Sequence, residues 1–206
     1  LSAASYVELL RIAYKRIKEA DPDTVVVAGA LTPTGWNDGV TAIDDRLYLR
    51  QMYEAGLKSV CDAVGVHPSG FANPPDASFP EPKPASPSHN NHPSFYFRNT
   101  MEDYRNIMIE YGDSRKQLWP TEFGWAVSSR PEPGYEYASY NNESTRAQWI
   151  VRAYQMAKNW GFVGPMFLWN LNFRIVAPGT EMAAFGIMDA GWRATPAYAG
   201  LRDMPK

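Results

Sequence analysis

Four short apolar runs, each followed by a long loop and a helix-length segment, constrain this 206-residue chain more than any other feature of it. The first run, Val25 to Ala30, holds no polar side chain and lies between Asp-Pro-Asp and Thr-Pro-Thr. A run of that kind is buried on both faces, as the strands of a parallel sheet are. Asp62 to His67, Gln117 to Thr121 and Val163 to Trp169 read as three more strands. Helical periodicity alternates with them. Val7, Leu10, Tyr14 and Ile17 recur on one face of an opening helix, where Ser5 and Glu8 have capping-box spacing. That pattern ends at Asp21-Pro22, because a residue before proline disfavours helix. Arg46 to Ala55, closed by Gly56, predicts a second helix. Asn99 and Glu102 have N-cap and N3 spacing for a third, running to Tyr111-Gly112. Asn141 to Trp160 predicts a fourth, and Pro196 to Arg202 a short last one. A helix followed by four strand-helix units predicts an α/β fold with about four parallel strands. Right-handed crossovers then bring all four strand C-termini to one end.

The loops share that end. Residues 31–44, 68–98, 122–140 and 170–195 each follow a strand and are long or rich in aromatics, while the helix-to-strand connections are short. Barrel enzymes keep their active sites in such loops, and open α/β sheets share the tendency. The loop at 68–98 carries eight prolines between Pro68 and Pro93, so it is neither helix nor inner strand. It reads as an ordered lid or as a disordered spacer; loops of this length are more often functional or mobile than neutral. No linker divides the chain, so residues 1–206 read as one domain.

Composition removes several function classes. The formal charge of −2 argues against a nucleic-acid partner. No stretch approaches the roughly 20 apolar residues of a membrane helix. The single cysteine, Cys61, excludes an internal disulfide framework and reads as a buried thiol. The sequence has no Gly-x-Gly-x-x-Gly, no phosphate loop and no Gly-x-Ser-x-Gly elbow, so no cofactor is expected. His89 and His92 have no cysteine nearby and read as solvated loop histidines rather than as a zinc site. No secretion signal is visible, and localisation stays open. Aromatic residues make up 14% of the chain, which suits a surface that stacks flat rings and equally an aromatic core.

The segment that points to chemistry is Leu118-Trp119-Pro120-Thr121-Glu122-Phe123-Gly124-Trp125. A largely apolar strand runs directly into a glutamate. A carboxylate at the C-terminal end of a barrel strand points into the mouth, and aromatic neighbours suit it to act as acid, base or nucleophile. The structural alternative is a glutamate paired with an arginine or capping the next loop.

Thr121-Glu122-Phe123-Gly124-Trp125 resembles the end of strand seven in the clan GH-A glycoside hydrolases, the (β/α)8 superfamily that includes families 5 and 39. Val66-His67-Pro68 resembles the end of strand six, and Phe167-Leu168-Trp169-Asn170 the end of strand eight. Phe185-Gly186-Ile187-Met188-Asp189 with Pro196-Ala197-Tyr198 resembles the tail of these barrels, and Tyr6 to Pro22 the helix after strand four. The resemblance covers nearly the whole chain. It implies the C-terminal half of a TIM barrel: helix four, then strands five to eight with their helices. It implies Glu122 as the nucleophile of a retaining glycosidase and carbohydrate as the partner. His67 would bond the nucleophile or a sugar hydroxyl, and Trp169 would floor the subsite of the attacked sugar. Asn170 would bind a hydroxyl or cap a turn, and Trp125 and Trp36 would serve outer subsites or simply pack.

One departure is expected to matter. The clan's acid/base is a glutamate, usually after asparagine, at the end of strand four. No Asn-Glu-Pro occurs here, and Glu81, Glu132, Glu136, Glu143 and Glu181 fall in loops or at a helix start. The expectation is an inactive chain that pairs across open sheet edges, with an N-terminal half-barrel or with a second copy. The alternatives are a non-catalytic carbohydrate-binding or assembly half-barrel, and an open α/β protein with a structural Glu122. In the last case Glu122, His67 and Trp169 would not share a mouth.

Overall fold

The computed structural model describes residues 2–81, 86 and 88–205. Its regular elements run α1 (Ala3–Ala20), β1 (Val27–Ala28), α2 (Asp45–Glu54), β2 (Ala63–Val66), α3 (Phe97–Glu110), β3 (Leu118–Pro120), α4 (Glu143–Trp160), α5 (Glu181–Ala184) and α6 (Pro196–Asp203). The strands form one parallel sheet in the order β1-β2-β3. Val27 stands opposite Ala63, and Val64 opposite Leu118. All four residues of β2 are buried, as a run without polar alternation requires.

The fourth expected strand takes its place beside β3 but does not form a regular ladder. Two isolated parallel bridges mark it, Leu118 with Val163 and Phe123 with Leu168. The amides of Gly164, Phe167 and Trp169 donate to the carbonyls of Leu118, Pro120 and Phe123 at 2.8, 2.8 and 2.9 Å. Pro120 and Pro165 have no N–H to give, so rungs are missing on both sides of the pair.

Three helix starts differ from their sequence expectation. The N-cap of α1 is Ser2, which accepts from the Ser5 amide at 3.1 Å, so the helix begins ahead of the Ser5 position. α3 begins at Phe97 without a side-chain cap. Asn99 instead accepts from the Phe79 amide at 2.8 Å and pins the proline-rich loop. α4 is capped by Asn142 in a reciprocal box with Thr145.

The core lies between the sheet and its helices. Val64, Val66, Leu118 and Phe123 meet Leu49, Met52, Met101, Tyr104 and Ile150 there. The described part of the proline-rich loop is packed rather than loose. Asn73 donates to the carbonyls of His89 and Phe95, and Asn141 to that of Phe71. At the loop's far end the buried Asp45 accepts from Ser94 Oγ at 2.7 Å and from the Tyr104 hydroxyl at 3.0 Å. Residues 82–85 and 87 of this loop lie outside the described set. Among the described residues no helix is long and apolar enough to cross a membrane.

Candidate active site

A cavity of about 320 Å³ opens where the sheet's C-terminal ends meet the loops. Thr32 and Thr34 reach it after β1, His67 and Ser69 after β2, Glu122 after β3, and Trp169 at the end of the fourth run. Phe71, His89 and Phe95 of the proline-rich loop close one side. Tyr135, Glu181 and Phe185 supply another. An apolar groove of about 340 Å³, lined in part by Tyr154, Met166 and Pro205, contains no acid and no histidine.

Glu122 stands two residues beyond the end of β3 and lines the cavity. Phe123 and Trp125 turn into the core, where both are fully buried, and Glu122 between Thr121 and Phe123 is left partly exposed. The Glu122 carboxylate makes no hydrogen bond and no ion pair with the described residues. The arginine-paired or loop-capping alternative is therefore not what the geometry shows. Gly124 sets the spacing between the two strand ends. A Cβ there would lie 2.6 Å from the Trp169 carbonyl oxygen, closer than any side chain tolerates.

His67 stands beside Glu122 and shares a hydrogen bond with Thr121 Oγ1, Nε2 to oxygen 3.0 Å. Burial pulls the imidazole pKa below its ordinary value, against the opposing charge of Glu122. The ring is therefore neutral at neutral pH, able to donate from one nitrogen and accept at the other. Trp169 is half-buried, lies in contact with Phe173, and is joined to Asn170 by a cis peptide bond.

Three other sequence candidates do not reach the cavity. Asn170 is buried; its amide donates to the Met182 carbonyl at 2.8 Å and its oxygen accepts from the Phe173 amide at 2.9 Å. It shapes the turn after Trp169. Trp125 is 1% exposed, donates from Nε1 to the Asn73 carbonyl at 2.9 Å, and packs on Phe97 and Phe123. It is core, not subsite. Trp36 is 62% exposed on the loop after β1 and lies outside the lining.

Two residues passed over in the sequence do reach it. His89 is not a solvated loop histidine: its ring stacks on Phe71 at 4.6 Å and meets Tyr137 edge-on at 5.0 Å. Burial lowers its pKa as well. Glu181, at the start of α5, accepts from the hydroxyl of the buried Tyr137, and its own amide donates to Glu132 Oε2 at 2.9 Å. Burial raises the Glu181 pKa, the Tyr137 bond opposes that, and the charge of Glu132 adds to it. No group of His, Cys, Asp and Glu among the described residues is arranged to hold a metal ion.

No protein-family model matches the sequence, and no curated protein is significantly similar to it. Solved structures are similar in fold. A family 39 glycoside hydrolase from Bacteroides cellulosilyticus superposes with a TM-score of 0.64 at 18% identity, over 95% of this chain and 36% of the enzyme. A monomeric β-xylosidase from Caulobacter crescentus gives 0.62 at 19% identity, over 98% and 38%. A GH128 endo-β-1,3-glucanase from Amycolatopsis mediterranei, solved with laminaritriose and laminaribiose, gives 0.56 at 15%, over 100% and 66%. The chain spans well under half the length of the first two, and at these identities the likeness is one of fold. The chain thus has the fold of part of a (β/α)8 barrel, the architecture of the clan GH-A glycoside hydrolases whose strand-end motifs it resembles.

Proposed function

We propose that this chain carries the nucleophile side of a retaining glycoside hydrolase site acting on O-glycosyl bonds. The observation that supports this reading is the meeting of Glu122, His67 and Trp169 on one cavity from three separate strand ends. In the reaction, a Glu122 oxygen attacks the anomeric carbon, the bond to the leaving oxygen breaks, and a glycosyl ester forms. Water then attacks that ester, giving up its proton to the group that protonated the leaving oxygen, which releases the sugar and restores the carboxylate. His67 bonds a sugar hydroxyl or the nucleophile, and the Trp169 ring carries the apolar face of the pyranose. The same mechanism needs a second carboxyl about 5–5.5 Å from the first to protonate the leaving oxygen. Among the described residues no glutamate other than Glu122 follows a strand end directly. Glu181, the other carboxyl among the described lining residues, comes from the first turn of α5, so this reading assigns the acid/base to a partner segment.

The test is a deoxyfluoro glycosyl fluoride, with fluorine replacing the hydroxyl beside the anomeric carbon. Fluoride leaves without a proton, and the ring fluorine slows hydrolysis of the ester. Peptide mass spectrometry should find one glycosyl adduct, on Glu122, and none in Glu122→Gln. An adduct on another residue would move the nucleophile away from Glu122, and sugar binding with no adduct would favour the non-catalytic binding half-barrel instead.

The pairing expectation follows from the sheet. Among the described residues β1 has one strand neighbour, and the fourth run meets only β3 in the sheet. Unpaired edges recruit other strands. Sedimentation velocity should therefore show self-association, or capture of a supplied N-terminal half-barrel. A compact monomer indifferent to that half would count against it.

A further inference from the structure

We propose that Glu181 selects the sugar: it accepts hydrogen bonds from hydroxyls of the unit lying on Trp169, opposite the bond that Glu122 attacks. This rests on the carbohydrate reading above and adds a residue to it. Glu181 lines the same cavity as Glu122 and Trp169, yet it comes from the first turn of α5 rather than from a strand end. Its Oε1 accepts from the Tyr137 hydroxyl, and its Oε2 makes no hydrogen bond among the described residues. One oxygen is thus held and the other is left for a ligand.

The carboxyl is held from several directions. Tyr137 is fully buried, and burial and the Glu181 charge keep its phenol protonated far beyond the ordinary range, so it remains a donor. The Glu181 amide is tied to Glu132, and the Thr180 side chain caps the short helix that follows. At the other end of that helix Arg146 donates to the Ala184 carbonyl at 3.1 Å. A carboxylate fixed this way pays little ordering entropy on binding a hydroxyl. The walls beside it are flat rings: Phe71, His89 and Phe185. Flat rings take the apolar face of a pyranose, and a fixed acceptor reads the position of its hydroxyls. Hydroxyl readout of this sort discriminates strongly, because an analogue lacking the group leaves the acceptor unpaired.

The experiment is a calorimetric titration of methyl β-glucoside and its monodeoxy analogues into the wild-type chain, Glu181→Gln, Tyr137→Phe and Trp169→Ala. In the wild type at least one deoxy analogue should bind about tenfold or more below the parent glucoside. In Glu181→Gln that ratio should collapse toward one, with the parent falling to the level of the analogue. Tyr137→Phe keeps the charge but frees the held oxygen, and should give an intermediate ratio. Near-UV circular dichroism checks that each variant keeps its packing. Wild-type binding with no deoxy discrimination, or discrimination that survives Glu181→Gln, overturns the role given to Glu181 and leaves the carbohydrate reading standing. No binding of the glucoside series by the wild type, with Trp169→Ala no different, removes both.

Discussion

A dinitrophenyl glycoside is expected to be cleaved by the 206-residue chain alone, while an alkyl glycoside of the same sugar stays near the uncatalysed rate. The reason lies in which bond-breaking step needs a proton. Dinitrophenolate is a stable anion and leaves unaided, so attack by Glu122 and the aromatic seat of the sugar suffice. An alkoxide does not leave unaided, and general acid catalysis supplies about 10²–10⁴-fold in such steps. The expected signature is a steep fall of kcat/KM as the leaving group becomes less acidic. Glu122→Gln should abolish turnover of even the activated substrate. Addition of a protein segment that supplies the donor should flatten the dependence. The opposite result is equally informative. Efficient cleavage of alkyl glycosides by the chain alone would mean that a proton donor already sits in the cavity. Glu181 is the other carboxyl among the described lining residues, and its pKa is raised by burial. Loss of that cleavage in Glu181→Gln would reassign it from sugar selection to acid catalysis.

The parts of this site that were legible in the sequence are those set by strand geometry. A strand end fixes where the next side chain points, so Glu122, His67 and Trp169 could be placed on one rim from three separate runs. Trp125 lies past the strand end, where that geometry no longer holds: residues 123–126 are all buried, and Trp125 follows Phe123 into the core while Glu122 faces the cavity. Asn170 fails for a related reason. It follows Trp169 directly, and its amide is consumed by the backbone of the turn. Proline explains the weak fourth strand, since Pro120 and Pro165 remove donors that apolar periodicity does not register. His89 and Glu181 were not legible. His89 lies in an aperiodic loop and Glu181 opens a four-residue helix within another, and each is fixed by long-range bonds: Asn73 to the His89 carbonyl, and Tyr137 to the Glu181 carboxyl. The helix starts slipped because several polar residues compete for each cap. Asn99, with the spacing of a cap, is taken by the Phe79 amide instead.

Arg146→Ala is expected to destabilise the fold by about 2–3 kcal/mol, because it opens a void and removes a buried hydrogen bond, while Glu143 stays partly solvated and paired with Arg174. Arg146 is 0% exposed, although it lies in the first turn of α4. Its guanidinium pairs with Glu143 and donates to the Ala184 carbonyl, while Glu143 also binds Arg174 at 3.2 Å. Arg174 in turn donates to the Gly186 carbonyl at 3.2 Å. The network therefore joins α4 to both sides of Phe185, the residue that lines the cavity after Glu181. Burial works against the Arg146 charge more than Glu143 works for it, a balance that leaves the pair no large net stabiliser. That balance makes the choice of substitution diagnostic. Alanine leaves a void, and the Ala184 carbonyl keeps only the bond from the Val127 amide. Arg146→Met fills the space without a charge, and should cost clearly less in urea unfolding. If the two variants unfold alike and within about 1 kcal/mol of wild type, the guanidinium is not what holds this corner. If they separate as expected, methionine gives a folded chain in which α5 has lost one of its anchors. Deoxy-sugar discrimination should then weaken while labelling of Glu122 persists, because Glu122 is held by the sheet and Glu181 by the loop that Arg146 ties down.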